Sequence, residues 1–193
     1  LYLTGCRRCE INIIASPGVQ ISTRTMLQHF SKIEQLIHSF DRPTKKVLDE
    51  IAVVKHFKKG DILLAEGEVC RKSFHLIRGI ARKYYLSEGK EVTTEFYFED
   101  DLAVAFSSYT FQEPSREYID CLSDISASVT DYQAFQQAKQ CFPRLMELDL
   151  LLTEVYTGWL EESLFDRHTL SATQRYEKLL AQTPYLLQHI KLT

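Results

Sequence analysis

Between His56 and Thr130 the hydrophobic period of the chain changes from helical to two, and glycine-bearing turns interrupt it at short intervals. This change narrows the possible folds more than any other feature. "HFKKGDILLAEGE" turns at Gly60-Asp61, runs through a short apolar stretch and turns again at Glu66-Gly67-Glu68. "SFHLIRGIARKYYL" divides at Arg78-Gly79 into two strand-like runs, and "SEGK" supplies a hairpin turn at Glu88-Gly89. Val92, Thr94, Phe96 and Phe98 then alternate with Thr93, Glu95 and Tyr97, and "REYIDCL" and "ISASVT" read as two further strands. Short strands with closely spaced turns predict a β-sandwich or a rolled barrel. Its interior is expected to be rich in aromatics, drawn from Phe74, Tyr84, Phe96, Phe98, Phe106, Tyr109, Phe111 and Tyr118, most of them core.

Helical patterns flank this region. Leu27, Phe30, Ile33, Ile37 and Phe40 recur at steps of three and four, and Asp41-Arg42-Pro43 breaks the series. Thr44 is placed to cap a short helix carrying Val47, Leu48 and Ile51, and Asp131 to cap another running through Lys139. After Pro143, a seam of Leu145, Leu148, Leu152, Val155 and Trp159 predicts a long helix. A second apolar face, with Leu151, Tyr156, Leu160 and Leu164, gives that helix two partners: its own roll and a second subunit. A homodimer through the first seam is expected. Ser171 then caps "ATQRYEKLLAQTP", with Gln174 completing a capping box.

The predicted class is α+β. Residues 1–25 read as an N-terminal extension, 26–143 as the roll with its helices, 144–170 as the long helix, and 171–193 as the start of a further domain. No apolar run reaches the roughly 18 residues of a membrane span, and the first residues lack a signal-peptide layout, so a cytoplasmic protein is expected. Net charge is −3, which limits any nucleic-acid contact to a local patch. Five cysteines, an odd number, point to free thiols rather than a disulfide framework. Cys6 and Cys9 form a lone CxxC without further ligands at metal-site spacing, so no metal or other cofactor is expected.

A roll of this kind has an enzymatic rival, the cupin metalloenzyme, which needs clustered histidines on facing strands. Here His29, His38, His56, His75, His168 and His189 are all isolated. No G-x-S-x-G, phosphate loop or dinucleotide fingerprint occurs either. A non-enzyme is therefore expected. A ligand-free interaction module is the other rival; an open pocket between roll and long helix would favour a sensor, a filled one the module.

The order of elements over residues 26–193 resembles the Crp/Fnr family of bacterial transcription regulators. "KKGDILLAEGE" resembles the family's Gly-x6-Gly-Glu turn, with Gly60, Gly67 and Glu68. "FHLIRGIARKYYLSEGKE" is similar to its strand–Gly–strand–Gly segment, with Gly79 and Gly89, and "SATQRYEKLLAQTP" to the helix that opens its winged-helix domain. The resemblance implies a double-stranded β-helix (jelly-roll) sensor for a small-molecule effector, a long dimerisation helix, and a C-terminal helix-turn-helix that reads DNA. The recognition helix of that motif lies outside these residues. The resemblance also implies effector contacts at Ser115, Arg116, Phe106, Tyr118 and Thr157, and dimer contacts at Leu145, Leu148, Leu152, Val155 and Trp159.

The departures from the family pattern bear on the ligand. Its cyclic-nucleotide binders place a Gly-Glu pair about ten residues before an Arg-Ser, for the ribose and the phosphate. Here no glycine occurs between Gly89 and Gly158, and Val104-Ala105 stands at the required distance from Ser115. Ser115 occupies the clamp arginine's position and Arg116 the next, a shift that reverses facing on a strand. Glu99, Asp100 and Asp101 lie nearby and repel phosphate. The expectation is a retained scaffold without its nucleotide clamp.

Overall fold

The computed structural model describes residues 32–182. The expected N-terminal extension, Cys6 and Cys9, and the segment from 183 onward lie outside the described residues. Helix α1 is described over 32–39 and is followed by α2 (Arg42–Ile51). Pro43 sits in the first turn of α2, where a missing N–H costs nothing, and Asp41 holds the N-cap position. The helix thus starts earlier than Thr44. That residue is buried, and its hydroxyl donates to the Asp41 carboxylate.

Eight strands follow: β1 (Ala52–Phe57), β2 (Ile62–Leu64), β3 (Lys72–Arg78), β4 (Ala81–Ser87), β5 (Lys90–Tyr97), β6 (Leu102–Ala103), β7 (Tyr118–Cys121) and β8 (Ile125–Asp131). They form two four-stranded antiparallel sheets, ordered β1-β8-β3-β6 and β2-β7-β4-β5. The roll does not close into a barrel. Leu76, Ile119, Ala127, Phe74 and Val129 from the two inner faces make its core. Leu76 and Ile119 are completely shielded, and each such burial is worth about 1.5–3 kcal/mol.

The glycine turns do what their spacing predicts. Gly79 has φ +105° and lies so close to the β7–β8 turn that a Cβ would stand 2.5 Å from the Asp124 carbonyl. The Gly67 N–H donates to the Ser115 carbonyl at 2.8 Å, and the Ser115 N–H donates to the Glu68 carbonyl at 2.8 Å. The Gly60 N–H likewise donates to the Cys121 carbonyl. Two sequence-distant turns are thereby tied to β7 and to the segment leading into it.

Helix α3 (Phe106–Phe111), absent from the sequence expectations, follows β6. It carries no side-chain N-cap, and its C-cap is Gln112 in the left-handed region, with the amide donating to Tyr109 and Cys70 carbonyls. Helix α4 (Tyr132–Cys141) starts at Asp131, whose carboxylate accepts from the Gln133 and Ala134 N–H groups. Helix α5 (Arg144–Thr169) has 26 residues, about 39 Å of rise. Helix α6 (Ala172–Gln182) opens with the expected capping box. The Gln174 N–H donates to the Ser171 hydroxyl, and the Gln174 side chain accepts from the Ser171 N–H.

A second, helical core joins Phe40, Phe135, Ala138, Leu145 and Leu148, with Leu152 against it. The proposed dimer seam is therefore divided. Leu145 and Leu148 are covered by helices of their own chain, because α5 begins inside this cluster. Met146, Leu150, Leu164 and Phe165 of α5 are each more than half exposed. On a helix of about 100° per residue the first three share one line with Thr153, Thr157 and Leu160, opposite the seam. Tyr156, assigned by pattern to the same outer face as Leu160 and Leu164, turns instead toward the roll.

Candidate functional site: the contact between roll and long helix

Strand parity decides what faces the interior beneath α5. The β4–β5 register slips at Lys83/Tyr84, where Lys83 pairs with Glu95 and Tyr84 with Thr93, skipping Thr94. The slip sends Glu95 and Tyr97 inward, 8% and 5% exposed, and leaves Phe96 and Phe98 half-buried. Phe96 and Phe98 are thus not the interior of this strand, contrary to the pattern. Lys83 of β4 also points inward, 5% exposed.

These side chains build one polar cluster. The Lys83 ammonium pairs closely with the Glu95 carboxylate and lies 3.8 Å from Glu117 Oε2. The Tyr97 hydroxyl donates to Glu95 Oε2 at 2.7 Å and also contacts the Val104 carbonyl at 3.2 Å. The Thr94 hydroxyl reaches Glu117 Oε1 at 3.1 Å. From α5, the Tyr156 hydroxyl accepts from Lys83 Nζ at 3.5 Å. The Tyr156 ring stacks on Phe106 of α3, centroids 4.5 Å apart, and on Trp159, 5.7 Å apart. Tyr156 is thus where the long helix meets both the buried charges and α3.

Electrostatics follow from burial. Desolvation alone would lower the Lys83 pKa, but Glu95, Tyr156 and Glu117 outweigh it and hold the ammonium above its usual value. Burial, with Glu95 next, pushes the Tyr97 hydroxyl well above the ordinary tyrosine range and raises Tyr156 in the same way. One ammonium against two carboxylates leaves the cluster with formal charge −1, a poor receptor for phosphate. Asp101, at the edge of the same region, accepts from the Phe98 N–H at 2.7 Å. Burial pushes its carboxyl up to about 6, Glu95 and Asp100 adding to the effect.

Beside this cluster an open groove of about 1930 Å³ is lined by residues of β5, α3, α5 and α6. Glu95, Tyr97, Phe106, Tyr156, Trp159 and Asp101 are among its lining residues. Helix α6 borders it, held to α5 by Lys178, whose ammonium lies 3.2 Å from Glu162 and 2.5 Å from Asp166.

The residues singled out from sequence are dispersed. Ser115 is buried and structural: its hydroxyl donates to the Glu117 carbonyl at 2.8 Å and accepts from the Glu117 N–H at 3.1 Å. Arg116 is exposed and pairs with no carboxylate among the described residues. Tyr118 lies on the outer face of its sheet, since Ile119 and Cys121 take the inner one; it stacks on Tyr84 at 5.1 Å. Arg82, on that outer face, clamps Asp120 through Nε at 2.9 Å and Nη2 at 3.0 Å. Thr157 is exposed, and its hydroxyl donates to the Thr153 carbonyl within α5. Of the five, Phe106 lies at the roll–helix contact.

Lys83, Glu95 and Tyr97 were missed. The signal was present: two charged residues and a tyrosine at inward positions of adjacent strands. Reading it required the bulge, which alternation does not reveal.

Val104 and Ala105 are core, 7% and 2% exposed. Their carbonyls accept from the Tyr97 hydroxyl and the Tyr109 N–H, and α3 has only six residues. No ribose- or phosphate-binding group stands there. Among the described residues no three His, Cys, Asp or Glu side chains converge as a metal site, and no helix is long and apolar enough to cross a membrane.

Two four-stranded sheets, short flanking helices and a long C-terminal helix define the class: a cyclic-nucleotide-binding-type β-roll. The structure comparisons agree. The chain is similar to a cyclic nucleotide-binding domain from Methylobacillus flagellatus, with TM-score 0.60 and 17% identity over 75% of this chain and 86% of that one. It is similar to the Thermus thermophilus catabolite activator protein, with TM-score 0.53 and 13% identity over 68% of this chain. It spans 62% of that protein's length. It is also similar to the regulatory subunit of a cAMP-independent protein kinase A from Trypanosoma brucei, with TM-score 0.52 and 13% identity over 72% of this chain and 50% of that one. No protein-family model matches the chain, and no curated protein matches it in sequence. At these identities the shared property is the fold.

Proposed function

We propose that this chain is the sensory and helical part of a DNA-binding transcription regulator of the Crp/Fnr type, acting in the cytoplasm and without enzymatic activity. The observation that carries the reading is Tyr156. It brings the long helix, which would lead to a DNA-binding domain, into contact with the interior of a sensor-type roll. The fold likeness to the catabolite activator supports the same reading. The effector is a small molecule other than cAMP or cGMP, taken in the groove between β5, α3 and α5. Core residues at 104–105 and a cluster of formal charge −1 disfavour a cyclic phosphate.

Dimerisation is assigned to the open stripe Met146, Leu150, Thr157 and Leu164 rather than to Leu145 and Leu148, which are already covered. Val155 and Trp159 continue the inward seam. Residues 171–193 are taken as the opening of a winged helix-turn-helix. The test is a gel shift on the 193-residue chain and on the complete gene product. The complete product is expected to bind a palindromic site as a dimer, weakening steeply with salt, and the shorter chain to show no specific binding. Absence of specific binding by the complete product refutes the reading.

A further inference from the structure

We infer that Lys83 and Tyr156 form a built-in latch that holds α5 against the roll with no effector bound, so that the docked helix is the resting state of the switch. This rests on the reading of the roll–helix contact as the sensory site, and it adds the direction in which that site is set.

Lys83 is one of five buried polar or charged side chains among the described residues, and two carboxylates fix its ammonium from the roll side. Its remaining reach goes to one atom of α5, the Tyr156 hydroxyl, while the ammonium also lies 5.8 Å from the Tyr156 ring centroid. The same ring stacks on Phe106, so one α5 residue touches both the charge cluster and α3. All of these partners belong to the protein. A sensor whose helix docked only around a bound ligand would leave this contact open or polar and hydrated. Here it is closed by an ammonium, a hydroxyl and two stacked rings. The groove beside it is still open, so a ligand entering there meets Tyr156 in its docked place.

The chain carries its own reporter. Trp159 is its single tryptophan and stacks on Tyr156, one turn away on α5. Acrylamide quenching of Trp159 in the ligand-free 193-residue protein therefore reads whether that stretch of α5 is docked. Tyr156→Phe keeps the ring stack and removes only the hydroxyl. Lys83→Met removes the ammonium. Glu154→Ala, at an exposed α5 position outside both apolar faces, is the control. The wild type and Glu154→Ala are expected to quench alike. Tyr156→Phe and Lys83→Met should each raise the Stern–Volmer constant, by roughly 1.5-fold or more as local opening becomes frequent. Tyr156→Ala should raise it further and shift the emission to the red. Far-UV circular dichroism checks the secondary structure of each variant; because Lys83→Met also unbalances the buried charges of the roll, the decision rests on Tyr156→Phe, one oxygen smaller, which isolates the latch from folding. Unchanged quenching in Tyr156→Phe overturns the inference, as does a wild-type Trp159 already as accessible as that of Tyr156→Ala. The readout needs no DNA, so the latch and the DNA-binding reading fail separately.

Discussion

Replacing Lys83 with methionine is expected to destabilise the roll severely, and the structure sets the size of the effect. Lys83 is, among the described residues, the one cation paired with Glu95 and is a near neighbour of Glu117, and both Lys83 and Glu95 are under 10% exposed. Methionine fills nearly the same volume, so little of the loss comes from packing. What changes is charge: two carboxylates are left to face each other in a poorly solvated site. Removing one partner of a buried pair costs about 3–5 kcal/mol. With a urea m-value of about 2 kcal/mol/M, the midpoint should fall by roughly 2 M. Glu95→Gln in the same molecule should return about half or more of that loss, because the amide oxygen still accepts from the Tyr97 hydroxyl and one of the two charges is gone. Urea titrations of the wild type, Lys83→Met and the double variant decide it. A loss below about 1 kcal/mol for the single variant, or no recovery in the double, refutes the argument that charge imbalance governs this site.

Other perturbations separate the remaining claims. Asp101→Asn preserves an acceptor for the Phe98 N–H and removes a carboxylate whose folded pKa, about 6, exceeds its unfolded value of 3.8. The folded state therefore binds the proton more tightly, and wild-type stability falls as pH rises from about 4 to 6. The variant should be more stable than wild type by about 1–2 kcal/mol at pH 8 and equal to it at pH 4, as checked by thermal melts at both values. Leu145→Ala, at a fully shielded position, should cost about 2–5 kcal/mol without changing the monomer–dimer equilibrium of the folded protein; light scattering and denaturation measure the two effects. Leu150→Asp, on the open stripe, should do the reverse. Gly79→Ala must force the β7–β8 turn away from a Cβ at 2.5 Å and adopt φ +105°, and should lose at least about 2 kcal/mol in a urea melt.

Much of the fold was legible because its signals are local. Gly60, Gly67, Gly79 and Gly89 all adopt the positive φ their turn positions predict. Asp131 and Ser171 cap the helices they precede, and Pro143 stands at the start of α5. Each of these follows from a residue and its immediate neighbours. Val104-Ala105 likewise reads as apolar from residue type alone, and both residues are core.

The site belongs to tertiary structure. Alternation put Val92, Thr94, Phe96 and Phe98 on one face, but a single skipped residue at Thr94 turned Glu95 and Tyr97 to the interior. A bulge is selected by how two strands pair, not by the order of side chains in one of them. The same holds for α5. Its sequence offers two apolar faces, and only the placement of α1, α2 and α4 covers Leu145 and Leu148 and leaves Met146 and Leu150 open. Lys83 and Tyr156 are 73 residues apart, and nothing local in either predicts the other. Their meeting is fixed by the roll, which lowers the cost of burying an ammonium by supplying two carboxylates first.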